Sequence, residues 1–153
     1  DAHLPADYVE SERLRLEMYK RLAAVATDAD IDAVRDELLD RYGPLPEPVV
    51  ALLSVAAFRL QAKRCGVQEV VAQGNFIRFA PADLPESAQL RLARLYPGSQ
   101  VRKASGFILV PRPVTRPITG QPLVDADLLA WAGKVLADLF TPAAPAPTPA
   151  ASR

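Results

Sequence analysis

The side chains that most often carry enzyme chemistry are scarce in this sequence. It holds one histidine, His3, and one cysteine, Cys65. A cysteine-based zinc site and an internal disulfide both need more cysteines than the chain provides, and without a second His or Cys a nucleophile–base pair would need Asp, Glu or Lys as its base. The sequence also lacks the glycine-rich phosphate-binding patterns and the H-E-x-x-H pattern. We therefore expect no catalytic, metal-binding or cofactor-binding residue in this chain.

Neither of these two residues is placed for chemistry of its own. His3 lies close to the amino terminus, where we expect it to be a solvated bystander. Cys65 ends a predicted helix, and the neighbouring Lys63 and Arg64 could lower the pKa of its thiol. The carboxyl end of a helix opposes that effect, so we expect an inert thiol.

A compact group of charges, Glu37, Asp40 and Arg41, lies near the end of the second predicted helix. These positions are about one turn apart and share a face that points away from the apolar positions Val34 and Leu38. On one interpretation Glu37 and Arg41 form a local surface pair, worth only about 0.3–0.5 kcal/mol. On the other, the two carboxylates and the guanidinium contact a charged surface of a partner. The pattern alone favours the local pair.

Basic residues concentrate in the middle of the chain. Residues 1–65 hold twelve acids and nine bases, whereas residues 66–121 hold three acids and seven bases. One interpretation is a nucleic-acid-binding face on which Phe76 and Phe79 stack against bases. The other, which we favour, is the solvated outer face of an ordinary sheet, with both phenylalanines in the core. The seven bases are Arg78, Arg91, Arg94, Arg102, Lys103, Arg112 and Arg116.

Composition limits the class of protein. The 153 residues include eighteen Lys and Arg and eighteen Asp and Glu, and half are hydrophobic. A zero formal net charge disfavours a dedicated nucleic-acid or membrane-surface binder. No apolar run reaches the ~18–20 residues of a membrane span, so we expect no membrane segment. The single cysteine fits a reducing compartment, and we expect a cytoplasmic protein. The first residue is Asp1 rather than Met, so we expect the chain to be part of a longer protein.

Hydrophobic periodicity predicts the elements that position these side chains. Three segments with an apolar stripe of helical period occupy the first 65 residues. Ser11 is a predicted N-cap, Thr27 to Asp30 a predicted capping box, and Gly43 a predicted helix stop.

After Gly66 the period changes from 3.6 to 2. This change predicts strands over 67–72 and 76–79 joined by a Gly74-Asn75 turn, a helix over 86–96, and strands over 101–103 and 107–110. Asp125 or Asp127 is predicted to cap a last helix. The sequence thus predicts one α+β domain over residues 1–140, in which three helices precede a small, mainly antiparallel sheet with two further helices. Residues 111–122 are predicted to be an irregular connector, and the Pro/Ala-rich residues 141–153 a disordered tail.

Three linked motifs then suggest a family. They are LPADY at residues 4–8, RLRLEMY at 13–19 and ELLDRYGPLP at 37–46. In this order and at this spacing they resemble the carboxy-terminal (TRCF) domain of the bacterial transcription-repair coupling factors, the Mfd family. Leu4 replaces the usual Ile, and Tyr42 replaces the usual Phe. The resemblance is dense over residues 4–66, looser over the strands and last helix, and absent from the tail.

The resemblance implies a regulatory role. The full-length proteins of this family are double-stranded DNA translocases, driven by ATP and Mg²⁺ in separate motor domains, that displace stalled RNA polymerase and recruit UvrA. Their last domain folds back onto an amino-terminal UvrB-like module and masks the surface that binds UvrA. Carried over by position, the contact residues of this intramolecular clamp are Glu37, Asp40 and Arg41. The implied partner is therefore the UvrB-like module, with UvrA and RNA polymerase affected indirectly and no membrane or direct nucleic-acid contact. The rival function is nucleic-acid binding by residues 66–121.

Overall fold

A computed structural model of the chain describes residues 2–114 and 125–140. Within them the order of elements is three helices, a hairpin, a helix, two strands and a helix, as predicted. Their bounds are α1 Glu12–Ala23, α2 Asp28–Tyr42, α3 Glu47–Arg64, β1 Glu69–Gln73, β2 Phe76–Ala80, α4 Glu86–Leu95, β3 Gln100–Arg102, β4 Phe107–Pro111 and α5 Asp125–Leu139.

The first two helices begin where their side chains supply caps. The Ser11 hydroxyl accepts a hydrogen bond from the backbone N–H of Leu14, as predicted for an N-cap. Thr27 accepts from the N–H of Asp30, and the Asp30 carboxylate accepts in return from the N–H of Thr27, which confirms the predicted capping box. Helix α2 ends at Gly43, whose φ of 90° lies in the region that favours glycine.

The strands form one antiparallel sheet in the order β1-β2-β4-β3, so the mainly antiparallel prediction is confirmed. Strand β1 begins at Glu69 rather than at residue 67. The reason is that the N–H of Val67 donates to the carbonyl oxygen of Ala62 and so belongs to the end of α3. At the other end Pro111 pairs with Phe76, so β4 extends one residue into the predicted connector.

Two predictions fall wholly or partly on residues that the structure does not describe. The connector from residue 115 and the tail at 141–153 lie outside the described residues. Helix α5 begins at Asp125, so Asp127 lies in its first turn and is not a cap. The residues that directly precede Asp125 lie outside the described residues.

Two hydrophobic cores share helix α3. The helical core joins the amino-terminal segment to α1, α2 and most of α3, and Leu38 is fully buried in it. The sheet core packs one sheet face against α4, α5 and the end of α3, with Phe79 fully buried. Leu60 of α3 belongs to the helical core, and Ala62, two residues later, to the sheet core.

Candidate interface at the end of the second helix

The carboxyl end of α2 is fixed by the amino-terminal segment. The Tyr8 hydroxyl lies 2.8 Å from the carbonyl oxygen of Gly43 and 3.1 Å from that of Leu38. It donates to these part-buried acceptors at the carboxyl end of the helix, where the Gly43 carbonyl has no intrahelical partner. Burial, helped by the nearby Tyr42, raises the pKa of Tyr8, so this donor keeps its proton. The first and third motifs are thus joined by a direct contact.

A second tyrosine fixes the same segment to α1. The Tyr19 hydroxyl accepts a hydrogen bond of 2.8 Å from the backbone N–H of Leu4. Leu4 is itself buried in the helical core, only 3% exposed. The first and second motifs are therefore also joined by a direct contact.

Tyr42, the residue that replaces the family's usual Phe, packs its ring against Tyr8. The two ring centroids are 5.7 Å apart and tilted by 55°. The Tyr42 hydroxyl is buried and has no hydrogen-bond partner among the described residues. A phenylalanine would thus fill this position without losing a polar contact.

The three predicted interface residues lie on this fixed helix end, and two of them meet. Glu37 contacts Arg41 at 3.3 Å, which is the predicted local pair. Glu37 also contacts Arg21 of α1 at 2.6 Å, a partner that sequence reasoning missed. The stronger partner is sixteen residues away, so only the packing of α1 on α2 reveals it.

The pKa of Glu37 is lowered, chiefly by the hydrogen bond from Arg21 and then by Arg41. Partial burial of the carboxyl opposes this shift but does not cancel it. Glu37 is therefore held ionised and committed to two arginines of its own chain. Its negative charge is compensated before any partner arrives.

Asp40 and Arg41 are left facing solvent. Within residues 2–114 and 125–140, Asp40 has no hydrogen bond or ion pair, and it is exposed. One guanidinium nitrogen of Arg41 donates a hydrogen bond to Glu37, and the guanidinium carbon lies 5.4 Å from the Tyr42 ring centroid. Since an arginine has five N–H donors, most of those on Arg41 stay available. Adjacent in sequence, the two residues offer an uncompensated carboxylate beside a donor-rich cation.

The basic middle of the chain has a different character. Arg78 pairs with Glu69 at 2.7 Å and lies over the Phe107 ring, Arg91 donates to the carbonyl oxygen of Asp138, and Arg102 donates to Gln100. Several of the predicted phosphate contacts are thus used within the chain.

The positions of Phe76 and Phe79 also help to decide between a nucleic-acid-binding face and an ordinary sheet. Phe79 is completely buried in the sheet core and cannot stack on a base, as the favoured interpretation required. Phe76 is half-buried rather than in the core, so the expectation that both rings are internal is wrong for it. It lies on the outer side of β2, since side chains alternate along a strand. Arg116 lies outside the described residues.

The described part of the fold does not activate Cys65 or place it in a metal-binding group. Burial raises the pKa of the Cys65 thiol, which agrees with the expected inert thiol. The backbone N–H of His3 donates to the carbonyl oxygen of Pro48, so this part of the amino terminus is attached to the fold. In the described part of the chain, His, Cys, Asp and Glu side chains nowhere gather in threes that could hold a metal ion. Nor is any described helix both long and apolar enough to cross a membrane.

Comparison with known proteins agrees with the three motifs. A family model described as "TRCF domain" matches residues 1–90. The chain is 44% identical over 142 residues to the transcription-repair-coupling factor of Mycobacterium tuberculosis, an alignment that covers 92% of this chain and 11% of that protein. Against the factor of Escherichia coli the identity is 37% over 79 residues, covering 50% of this chain and 7% of that protein. The chain thus spans roughly a tenth of the length of the curated relatives it matches.

A solved structure gives the same fold. The crystal structure of the C-terminal domain of a transcription-repair coupling factor superposes with a TM-score of 0.66. The match covers 91% of this chain and 89% of that one, at 19% sequence identity. It confirms the α+β architecture.

Proposed function

The chain belongs to the TRCF domain family of the transcription-repair-coupling factors, and we propose that it regulates a longer protein by clamping onto another module of it. The partner we propose is the UvrB-like amino-terminal module, and the effect is to mask the UvrA-binding surface of that module. The chemistry of the whole protein, ATP-driven translocation on DNA and displacement of RNA polymerase, belongs in this proposal to other domains that hold ATP and Mg²⁺. No catalytic role is assigned to this domain.

The observation that carries the proposal is that some residues of the third motif stabilise the fold, whereas others face solvent. Leu38 is buried in the helical core, and the carbonyl oxygen of Gly43 accepts the hydrogen bond from Tyr8. The charge of Glu37 is neutralised by Arg21 and Arg41. Asp40 and Arg41 contribute little to the fold yet are held in place on a helix end fixed by Tyr8. Charged side chains that lie on a fixed helix end but make few contacts within their own chain are suited to bind a charged partner surface. In the proposal Asp40 and Arg41 contact the partner, and Glu37 positions Arg41.

A charged interface also suits reversible closure. Tethering within one protein raises the effective concentration of the partner module to about the millimolar range, so weak contacts suffice to close the clamp. A large apolar interface would resist opening and would leave an exposed apolar patch when open. Opening is then a population shift that follows when RNA polymerase and DNA engage the other domains.

Charge reversal in the full-length protein tests the proposal. We expect Asp40→Lys and Arg41→Glu each to raise the affinity for UvrA about fivefold or more, because coupling energies between linked sites are usually of that order. Asp83→Lys and Lys103→Glu are matched controls, since both residues are exposed and lie in the sheet half of the chain. UvrA binding measured by surface plasmon resonance should not change in the controls. If the reversed variants bound UvrA no better than the parent, these residues would not form the clamp.

A further inference from the structure

The outer edge of strand β1 lacks the protection that edge strands usually have. Strand β1 is at one end of the sheet, and its centre, Val70 to Ala72, holds no charge and no proline. Val71 is 40% exposed. The opposite edge, β3, has only three residues and ends in Arg102. Since edge strands are normally kept short, charged or covered, β1 is the edge that can accept another strand.

The backbone of β1 presents its free groups at regular intervals. The two-residue turn Gly74-Asn75 closes on the pair Gln73 and Phe76, and hydrogen-bonded pairs then alternate along the ladder. The N–H and C=O groups of Val70 and Ala72 therefore point away from β2. No backbone hydrogen bond to either residue from outside the strands is found in the described part of the chain.

A groove runs between this edge and helix α3. It has a volume of ≈ 710 Å³ and is lined by Val55 and Phe58 on the helix and by Val67 to Val71 on the strand side. Its floor is apolar, whereas its helix side carries Arg59 and Lys63. An extended segment that bound here would meet apolar surface on one side and basic side chains on the other.

The charges of the groove are unbalanced. Arg59 and Lys63 are exposed and form no ion pair with any described residue. Glu69, the one acid that lines the groove, is already paired with Arg78 at 2.7 Å. The groove therefore has an excess of positive charge, which favours a negatively charged ligand.

The spacing of the two cations fits a strand. Residues four apart on a helix lie about 5–6 Å from each other at their Cβ atoms. Residues two apart on a strand lie on the same face about 6.6–6.8 Å from each other, because a strand rises about 3.3–3.4 Å per residue. Two carboxylates at alternate positions of an added strand can thus reach Arg59 and Lys63 together.

We propose that the β1 edge binds an extended acidic segment of a protein partner as a fifth strand of the sheet. Backbone hydrogen bonds to Val70 and Ala72 supply affinity, and carboxylates at alternate positions pair with Arg59 and Lys63. A second copy of this chain is a poorer occupant, since its own β1 centre carries no acid to offer these cations. This site uses α3 and β1 and does not depend on the clamp residues Asp40 and Arg41.

The test uses the full 153-residue chain and the acetylated, amidated heptapeptide TVEVEVT. We expect saturable ¹⁵N chemical-shift changes at residues 59–63 and 70–72, with half-saturation at or below about 1 mM. Amide exchange at Val70 and Ala72 should slow when the peptide binds. The same peptide with glutamine in place of both glutamates should bind about tenfold more weakly, because it lacks the paired charges.

Two variants separate the contributions of charge and backbone. The double variant Arg59→Glu/Lys63→Glu should weaken binding of the acidic peptide about tenfold, while Lys103→Glu, an exposed base elsewhere, should not. Ala72→Pro removes an outward N–H without touching the ladder and should abolish binding, with retained helical circular dichroism showing that the chain still folds. Asp40→Lys should leave peptide binding unchanged, so that failure of the clamp proposal and failure of this one can be told apart.

Three results would overturn the proposal. One is the absence of saturable shifts at residues 70–72. Another is equal affinity for the acidic and the glutamine peptides. The third is concentration-dependent dimerisation in sedimentation that Ala72→Pro removes, which would assign this edge to a second copy of the chain.

Discussion

The helical core and the sheet core are closed in different ways. The helical core is closed by a short amino-terminal segment. The Tyr19 hydroxyl of α1 accepts from the backbone N–H of Leu4, and the Tyr8 hydroxyl donates to the backbone at the end of α2. The sheet core is closed by α5, held by Gln61 on the carbonyl oxygen of Gly133 and by Tyr96 on the carboxylate of Asp138. The helical half depends on neutral bonds to the main chain, whereas the sheet half has one such neutral bond and one bond to an ionised side chain. The stability of the two halves therefore depends on different kinds of hydrogen bond, and substitutions can separate the two contributions.

The largest expected effect is loss of a central side chain in either core. We expect Phe79→Ala to lower the free energy of unfolding by about 3–5 kcal/mol, and Leu38→Ala by about 2–5 kcal/mol, because each leaves a cavity. Since α3 contributes to both cores, both variants should lower the midpoint of a single transition. Urea unfolding followed by Trp131 fluorescence, which reports on the sheet core, and by circular dichroism measures this.

Leu90→Ala is the control for these two variants, because Leu90 is 68% exposed and its loss should change stability by less than about 0.5 kcal/mol. Two separate transitions, each shifted by only one of the core variants, would show that the cores unfold independently.

The next effect concerns the two tyrosines that pack against each other in the helical half. Tyr8→Phe removes the donor to Gly43 and Leu38 and should cost about 1–2 kcal/mol, because it takes away the partner of the part-buried Gly43 carbonyl. Tyr42→Phe removes a buried hydroxyl that has no partner among the described residues, so stability should stay the same or rise by up to about 1 kcal/mol. Thermal unfolding of both variants measures the difference. If Tyr8→Phe were as stable as the parent, ring packing and not the hydroxyl would hold the segment.

A smaller effect compares the two ionised carboxylates. The pKa of Asp138 is lowered by hydrogen bonds from Tyr96 and Lys134, and that of Glu37 by Arg21 and Arg41. Each therefore contributes stability above its ordinary pKa, 3.8 for Asp138 and 4.5 for Glu37, and loses it as the pH falls through the lowered value.

Unfolding curves between about pH 6 and pH 2 should show the loss of both contributions, each below about 1 kcal/mol for such surface pairs. Asp138→Asn and Glu37→Gln should each flatten the slope. An unchanged slope in either variant would remove that carboxylate from the account of acid sensitivity.

The smallest expected effect on folding belongs to Asp40. We expect Asp40→Ala to change the free energy of unfolding by less than about 0.5 kcal/mol, because no described residue contacts its carboxylate. Glu37→Ala on the same helix is the comparison, since it breaks the contacts to both Arg21 and Arg41. A loss from Asp40→Ala as large as that from Glu37→Ala would give Asp40 a role in the fold and weaken the interface proposal.

Local patterns predicted most of the elements because their causes are local. The capping box of Thr27 and Asp30, the stop at Gly43 and the Gly74-Asn75 turn each depend on residues within four positions of one another. The start of β1 was predicted two residues too early, because an apolar residue such as Val67 fits a helix end as well as a strand. Strand order could not be predicted, since the β2-β4 pairing skips over α4 and β3.

The sequence predicted the local pair of Glu37 and Arg41 in the candidate interface, but not the second arginine that pairs with Glu37. Helical spacing placed Glu37, Asp40 and Arg41 on one face of α2, and in the structure all three residues lie in this helix. It could not supply Arg21, because a pair between two helices depends on how they pack. Without Arg21, Glu37 and Asp40 look equivalent in the sequence. With it, one carboxylate is neutralised and the other is not.

The two tyrosine bonds of the amino-terminal segment also have a mechanical meaning. Tension applied at the amino end of the described chain reaches the His3–Pro48 bond first, then the Leu4–Tyr19 bond and then the Tyr8–Gly43 bond, before any turn of α1 is stretched. Yielding of the Tyr8–Gly43 bond releases the carbonyl oxygen of Gly43 and loosens the helix end that carries Asp40 and Arg41. A pull along the chain therefore acts on the orientation of these two side chains before it unfolds a helix.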